Sequence, residues 1–127
     1  KDVLFLGSVS PTKVPYYLKA FDVCAMPFPW TTHFAYYMSP LKMFEYMASG
    51  NPIIATKLPS VADVLKNNQN SVLVKPSDST DLSKGIIKIL SNNSFAKKIA
   101  QNAKKDVKKF TWENRAKIII NTLEELE

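Results

Sequence analysis

Residues 39–56 read SPLKMFEYMASGNPIIAT, and this stretch decides the fold because it holds a complete helix followed by a complete strand. Its first apolar side chains recur at the spacing of one helix face, at Leu41, Phe44 and Ala48. We therefore predict a helix over residues 40–49. Gly50 stands where helices commonly end in a left-handed residue, and the proline that follows at 52 requires an extended chain before it. The apolar run 52–55 is then predicted to be a buried strand.

Three more apolar runs have the same form and extend the prediction to a whole sheet. They are continuous rather than alternating, which is typical of strands buried on both faces of a parallel sheet, and they lie at residues 3–6, 23–26 and 72–74. Segments with helical spacing separate them. The alternation predicts an α/β fold: a Rossmann-like open parallel sheet of about four strands, flanked by helices.

The segments between and after the strands predict five further helices. They are expected over residues 14–21, 60–65, 78–90, 95–109 and 111–126. Asp78 is the predicted N-cap of the third of these, and Thr111 caps the last. Trp112, at the start of that last helix, is expected to anchor it on the core.

Length and composition limit the protein class. One ordinary domain fits 127 residues, and 46% apolar with 22% charged residues is typical of a soluble globular protein. The apolar runs are far shorter than the ~20 residues that a membrane-spanning helix needs. Cys24 is the only cysteine, which predicts a buried thiol and a cytoplasmic protein.

The net charge of +6 comes almost entirely from lysine, since Arg115 is the only arginine. This argues against bidentate reading of phosphates or bases, and we expect no nucleic-acid partner. The largest basic cluster consists of Lys97, Lys98, Lys104, Lys105, Lys108 and Lys109. It is interpreted as a solvated helix face, with peripheral contact to an anionic membrane surface, at its inner face, left open.

One predicted connection is unusually long and aromatic. Residues 27–38 join a strand to a helix, where two to six residues are usual. They include Phe28, Trp30, His33, Phe34, Tyr36 and Tyr37. Such a loop is better suited to lining a cleft than to facing water.

The loop leads to the helix start that carries the best candidate site. Ser39 is the predicted N-cap and Pro40 the first helical residue, so the amides of Leu41 and Lys42 have no partner within the helix. In parallel sheets, ligands bind at helix N-termini outside the carboxyl ends of the strands. These amides, the helix dipole and the lysine could together hold a phosphate.

Spacing alone leaves two readings of Lys42. A cation in the first turn opposes the helix dipole, and a bound anion would reverse that cost. Alternatively, Lys42 pairs with Glu45 or Tyr46 on an exposed helix face. Glu45 likewise either accepts hydrogen bonds from sugar hydroxyls or pairs within the helix.

The stretch 39–56 closely resembles the donor-site helix of the GT4 family of glycosyltransferases, which have the two-domain GT-B fold. The resemblance extends to residues 5–9, 20–27, 58–60, 70–76 and 111–113. It implies that the chain is part of a C-terminal, donor-binding domain, with a C-terminal helix over 111–126. It further implies a preceding acceptor domain, and we expect these 127 residues alone not to catalyse sugar transfer.

The resemblance also implies roles for individual residues in binding a nucleotide-diphosphate sugar. Glu45 would bind the ribose as the second glutamate of the E-x7-E signature. The amides of Leu41 and Lys42 would hold the diphosphate at a helix start formed by Ser39 and Pro40. Lys42 is the expected catalytic residue, because its charge would stabilise the departing diphosphate.

Two parts of the implied site lie outside that helix. The loop at Gly7, Val9 and Ser10 would lie against the nucleobase. Tyr37 occupies the first signature position, where the family has glutamate, nearest the donor sugar.

The implied reaction is glycosyl transfer with retention, without a metal or other cofactor. No Asp-x-Asp and no metal-ligand spacing occurs in the sequence. A non-catalytic nucleotide- or anion-binding α/β module remains the alternative function.

Overall fold

A parallel sheet flanked by helices forms the core of this protein, which is described by a computed structural model over residues 3–126. The three strands are β1 (Cys24–Met26), β2 (Ile53–Thr56) and β3 (Val72–Val74). They lie in the order β1-β2-β3, and both pairings are parallel. The predicted α/β fold class is thereby confirmed, with three of the predicted strands formed.

Six α-helices accompany the strands within these residues. They are α1 (Val14–Lys19), α2 (Leu41–Ser49), α3 (Pro59–Ala62), α4 (Ser79–Ser91), α5 (Asn93–Asp106) and α6 (Trp112–Glu124). A π-helical turn, His33–Tyr37, lies in the long loop before α2, and a 3₁₀ turn, Val107–Lys109, follows α5. In this part of the chain, no helix has both the length and the apolarity to cross a membrane.

Strand β2 is central and fully buried, and its side chains alternate between two apolar clusters. Ile53 and Ala55 belong to the cluster that also includes Met26, Met43, Met47, Leu58, Val61 and Leu65. Ile54 belongs to the other cluster, with Val72, Val74, Ile89 and Ile99. Burial on both faces explains why the strand sequence has no polar alternation.

The face that α2 buries differs from the predicted one. Met43 and Met47 are buried and Phe44 is half-buried, whereas Leu41 and Ala48 are exposed. The stripe of side chains that α2 buries is therefore rotated from the predicted stripe by close to one residue position, about 100° around the helix. Because residues 41, 43, 44, 47 and 48 are all apolar, the sequence fits either of two overlapping stripes. Packing against the sheet and α5 decides between them.

Two glycines fit positions that a side chain would strain. Gly50 ends α2 with φ of 80°, as predicted. Gly85, in α4, lies so close to the sheet that a Cβ would be 2.6 Å from Cδ1 of Ile54 and 3.1 Å from Cγ1 of Val74. The absent side chain at Gly85 therefore sets how closely α4 approaches β2 and β3.

Cys24 is a buried thiol, as predicted, at the start of β1. Burial raises its pKa above the ordinary value. Nδ2 of Asn51 donates to the carbonyl oxygen of Leu18 and lies 4.0 Å from Sγ of Cys24. This amide links α1, β1 and the residues that follow α2.

The strand predicted over residues 3–6 does not form, and this expectation was wrong. The segment belongs to no strand of the described sheet, and Val3, Leu4, Phe5 and Leu6 are all exposed, Phe5 by 92%. A strand is held by ladder hydrogen bonds to a neighbour and by burial of its side chains. Neither is provided here, so an apolar run alone does not make a strand.

Helix α6 forms where predicted, but Trp112 does not anchor it. Oγ1 of Thr111 accepts a hydrogen bond from the amide of Asn114 at 3.2 Å, as expected for an N-cap. The Trp112 side chain is 80% exposed, and α6 has no buried residue. Local capping therefore forms this helix without the core contact that the tryptophan suggested.

Candidate functional site

The N-terminus of α2 opens at the carboxyl edge of the sheet without a side-chain cap. Pro40 has an extended ψ of 122°, so Pro40 is itself the N-cap and the helix begins at Leu41. The prediction that Ser39 caps the helix was wrong. The helix starts one residue later than predicted, so Ser39 lies one position before the N-cap and its hydroxyl makes no capping hydrogen bond. The first amides of a helix have no partner within it. Here no side chain caps them and no acidic residue lies in the first turn.

Lys42 lies in this first turn and is exposed. Its Nζ is 5.7 Å from the centroid of the Phe28 ring, in the loop before α2. In the described chain the ion pair formed is Lys109 with Asp106, so the alternative pairing of Lys42 with Glu45 is not present. The ammonium group adds to the positive end of the helix dipole, and the two together favour an anion.

Glu45 lies one turn further along α2 and faces a different part of the surface. It lines a cavity of about 330 Å³ between α1 and α2, which is within the size range of small-molecule sites. The other lining residues are Pro11, Val14, Pro15, Leu18, Lys19, Ala48, Ser49 and Lys104. The cavity thus combines apolar walls with one carboxylate and two ammonium groups.

Lys19 and Lys104 were not predicted as site residues. Lys104 comes from α5, and its aliphatic stem approaches Gly50 at the end of α2. In the sequence it is one of many lysines on an exposed helix face. Only the packing of α5 against α2 distinguishes it from its neighbours.

The predicted nucleobase residues do not line the Glu45 cavity, although their loop leads into a residue that does. The carbonyl oxygen of Ser10 accepts a hydrogen bond from the amide of Lys13 at 2.8 Å, which starts the turn into α1. Its neighbour Pro11 lines the cavity. Gly7, with φ of 67°, half-buried Val9 and Ser10 itself do not line it.

Tyr37 lies at the end of the π-helical turn and is exposed. It is not among the residues that line the Glu45 cavity. Met38 has an extended backbone and connects the turn to Ser39. The structure therefore places Tyr37 with the aromatic loop and not with Glu45.

A second cavity, of about 310 Å³, lies where the three strands end. It is lined by Pro27, Pro29, Thr56, Val74, Lys75, Ser77, Asp78, Ser79 and Leu82. Oδ1 of Asp78 accepts from the amide of Asp81 at 2.8 Å and caps α4, as predicted. Asp81 in turn accepts from the amide of Lys75 at 2.8 Å. The two carboxylates hold the chain between β3 and α4.

No group of three or more His, Cys, Asp or Glu side chains within residues 3–126 is arranged to hold a metal ion.

Comparison with known proteins identifies proteins that are similar to this chain in sequence. The family model described as "Glycosyl transferases group 1" matches residues 1–106. An uncharacterized glycosyltransferase of Methanocaldococcus jannaschii is 30% identical over 120 residues, which is 94% of this chain and 29% of that protein. Sucrose-phosphate synthase 1 of Arabidopsis thaliana is 28% identical over 83 residues, 65% of this chain and 8% of that protein.

Solved structures have the same fold. The sucrose-phosphate synthase from Thermosynechococcus elongatus superposes with a TM-score of 0.81 at 25% identity, over 97% of this chain and 30% of its own. Anabaena HepE, in complex with UDP and glucose, has a TM-score of 0.78 at 22% identity, over 96% of this chain and 32% of its own. The chain thus spans 32% or less of the length of each of these four relatives, and the lowest share is the 8% of the Arabidopsis thaliana enzyme. Because the family model matches well over half of it, the chain belongs to the glycosyl transferases group 1 family.

Proposed function

We propose that this chain is the donor-binding part of a retaining glycosyltransferase of the GT4 group, within a C-terminal GT-B domain. The donor is a nucleotide-diphosphate sugar. The observation that carries the proposal is the uncapped N-terminus of α2, with Lys42 in its first turn and Glu45 beside a cavity one turn further on. Anabaena HepE, whose fold is similar, was solved with UDP and with UDP-glucose.

The diphosphate binds at the start of α2. The amides of Leu41 and Lys42 point along the helix axis toward the ligand, as the first amides of a helix do. In the free protein, the Lys42 charge opposes the helix dipole at a cost of about 0.3–1 kcal/mol. A bound diphosphate is attracted by both the lysine and the helix dipole, and this attraction outweighs the repulsion between them.

The nucleoside binds toward Glu45. A carboxylate accepts hydrogen bonds from both ribose hydroxyls without competing for the phosphate charge. The apolar walls at Pro11, Val14 and Pro15 provide an environment for the base. Val9 and Ser10 do not line this cavity, but their loop leads directly into Pro11, and we assign that loop to the side of the base.

Transfer breaks the bond between the anomeric carbon and the diphosphate and forms a bond from that carbon to an acceptor hydroxyl oxygen on the same face, while the departing diphosphate oxygen takes the proton of that hydroxyl. Negative charge develops on the departing diphosphate in the transition state. The helix terminus and Lys42 stabilise that charge without a metal ion. Tyr37, at the end of the aromatic loop before this helix start, is the residue we assign to the donor sugar.

Nucleotide binding tests the proposal. UDP, GDP and ADP are titrated into the purified protein by calorimetry, and the nucleotide that binds is then titrated into Glu45→Ala. Loss of a charge-assisted hydrogen bond lowers the affinity at least about tenfold. Glu124→Ala removes an exposed glutamate from α6 and serves as the charge-matched control, with unchanged affinity. If none of the three nucleotides binds, the proposal fails.

The non-catalytic binding module is favoured by one specific observation. Tyr37 stands where the family signature has its first glutamate, so the carboxylate expected nearest the donor sugar is absent. Incubation of this chain, joined to the acceptor domain that the resemblance implies, with UDP-, GDP- and ADP-sugars separates the two functions, because these 127 residues alone are not expected to transfer a sugar. Nucleotide binding that depends on Glu45, without consumption of any of these donors, would establish the binding module instead of the enzyme.

A further inference from the structure

The loop of residues 27–40 differs in composition from the rest of the chain. It contains six aromatic side chains, counting His33, and no Asp, Glu, Lys or Arg, although 22% of the whole chain is charged. We propose that two of its exposed side chains, Trp30 and Tyr36, form a stacking platform for an acceptor saccharide. This inference rests on the proposed function, because it assigns a place to the second substrate of that reaction.

The loop has a defined, packed conformation because one set of its side chains packs inward against the core. Phe28 and Phe34 stack with ring centroids 5.1 Å apart, and both pack against the core cluster. Ala35 is fully buried. Oγ of Ser60 donates to the carbonyl oxygen of Phe34 at 2.7 Å, which ties the π-helical turn to α3. π-helical turns of this kind are rare and frequently occur at functional sites.

A second set of side chains from the same loop faces outward. Trp30 is 51% exposed and Tyr36 is 62% exposed. Their rings meet edge to face, with centroids 6.3 Å apart and an interplanar angle of 84°. The two side chains thus support each other while leaving aromatic surface open, and the inward packing of Phe34 and Ala35 limits their movement.

Saccharide is the ligand that this chemistry fits. One face of a pyranose ring consists of C–H groups that are apolar and slightly positive, which complements the negative face of an aromatic ring. The hydroxyl groups at the ring edge need hydrogen-bond partners, and exposed Thr31, Thr32 and His33 lie beside the platform. A nucleic acid or an anionic membrane would instead require positive charge, and the loop has none.

The position of the loop indicates that the saccharide is an acceptor. Phe28 packs on one side against Phe34 and lies under Nζ of Lys42. The platform therefore belongs to the same packed loop that contacts, through Phe28, the helix start that we propose for the diphosphate. A transferase needs its acceptor hydroxyl beside the donor sugar, and this loop connects both places within one packed unit.

The two tryptophans of the chain allow a matched test. Trp30→Ala removes the platform, and Trp112→Ala removes the other tryptophan of the chain, which is 80% exposed in α6. The probes are methyl glycosides of glucose, galactose, mannose and N-acetylglucosamine, measured by saturation-transfer difference NMR on the purified protein. We expect at least one probe to bind through its ring C–H protons, with about three- to tenfold weaker binding in Trp30→Ala and unchanged binding in Trp112→Ala.

The same samples are titrated with UDP, GDP and ADP so that the two proposals can fail separately. Nucleotide binding without binding of any glycoside overturns the platform and leaves the donor site intact. Equal loss of glycoside binding in both tryptophan variants also overturns the platform. Glycoside binding that depends on Trp30, without nucleotide binding, overturns the donor site and with it the acceptor role.

Two further variants, Tyr36→Phe and Tyr36→Ala, keep the proposal testable if the Trp30→Ala variant does not fold. Circular dichroism checks that each variant is folded. Since Tyr36→Phe keeps the ring, we expect it to bind the probe nearly as well as the original protein, whereas Tyr36→Ala loses affinity as Trp30→Ala does. Full binding by a folded Tyr36→Ala variant would contradict a two-residue platform.

Discussion

Helices α4 and α6 are alike in local sequence signals and unlike in packing. Each has thirteen residues and an N-cap side chain that accepts from the third amide, Asp78 for α4 and Thr111 for α6. Yet α4 buries Gly85 and Ile89 against the sheet, and α6 buries nothing. The comparison teaches that capping and apolar spacing determine whether a helix forms, and that only a partner surface determines whether it packs.

The largest expected effect contrasts two isoleucines in these helices. Ile89 is buried in α4, and Ile119 is 52% exposed in α6. We expect Ile89→Ala to lower the free energy of unfolding by about 3 kcal/mol, because it leaves a cavity in the core. Ile119→Ala should change it by no more than about 0.5 kcal/mol. Urea denaturation measures both.

An equal loss in the two isoleucine variants would contradict the comparison. It would show that α6 packs against another surface in solution. Sedimentation analysis of the same samples would then report whether that surface belongs to a second copy of the chain.

A smaller effect is expected from the two N-caps. Asp78→Ala removes a cap from the packed helix and should lower the free energy of unfolding by about 1 kcal/mol. Thr111→Ala removes the equivalent bond from α6, where it should reduce helix content locally and leave the global unfolding midpoint unchanged. Hydrogen exchange of the first-turn amides, together with urea denaturation, distinguishes local fraying from global destabilisation. A shared shift of both midpoints would mean that α6 unfolds together with the core.

The smallest expected effect concerns Asp106, at the end of α5 on the way to α6. Nδ2 of Asn70 donates to its carboxylate at 3.0 Å, and this hydrogen bond, aided by Lys109, lowers the pKa of Asp106 below its ordinary value. A lowered pKa in the folded state means that the carboxylate stabilises the fold above the unfolded pKa of about 3.9. That contribution is lost as pH falls through the folded pKa.

The variant Asp106→Asn isolates this contribution. Thermal unfolding of the original protein and the variant is compared from pH 7 down to pH 3. We expect the original protein to be the more stable at pH 7 and the difference to shrink as the pH falls below about 4. A difference that does not change with pH would exclude the Asp106 carboxylate as its cause.

Much of the fold could be predicted from the sequence because its signals are local. Each correct prediction depends on residues close together in the sequence. This holds for the strands at 23–26, 52–55 and 72–74, for the Asp78 cap and for the end of the helix at Gly50. The wrong expectations share a different cause. Trp112 and residues 3–6 are apolar, but burial requires a complementary surface elsewhere, which no local pattern reveals. Ser39 was misplaced because a shift of one residue in the helix start changes which side chain can cap it.

The candidate site divides in the same way. Lys42, Glu45 and the α2 N-terminus are neighbours in sequence, so their shared helix could be predicted. Lys104 reaches the Glu45 cavity from α5, across more than fifty residues of chain. The contact of Lys42 with Phe28, in place of an ion pair with Glu45, likewise depends on how the aromatic loop folds.

The parallel register of the sheet has a consequence for the order in which the chain assembles. Pairing β1 with β2 joins Cys24 to Ile53, twenty-nine residues apart, whereas pairing β2 with β3 joins Ile54 to Val72, eighteen apart. Loop-closure entropy therefore favours the second pairing by about 0.4 kcal/mol. The folding nucleus is expected to contain β2 and β3 first, and larger φ-values at Val72 than at Met26 would report that order.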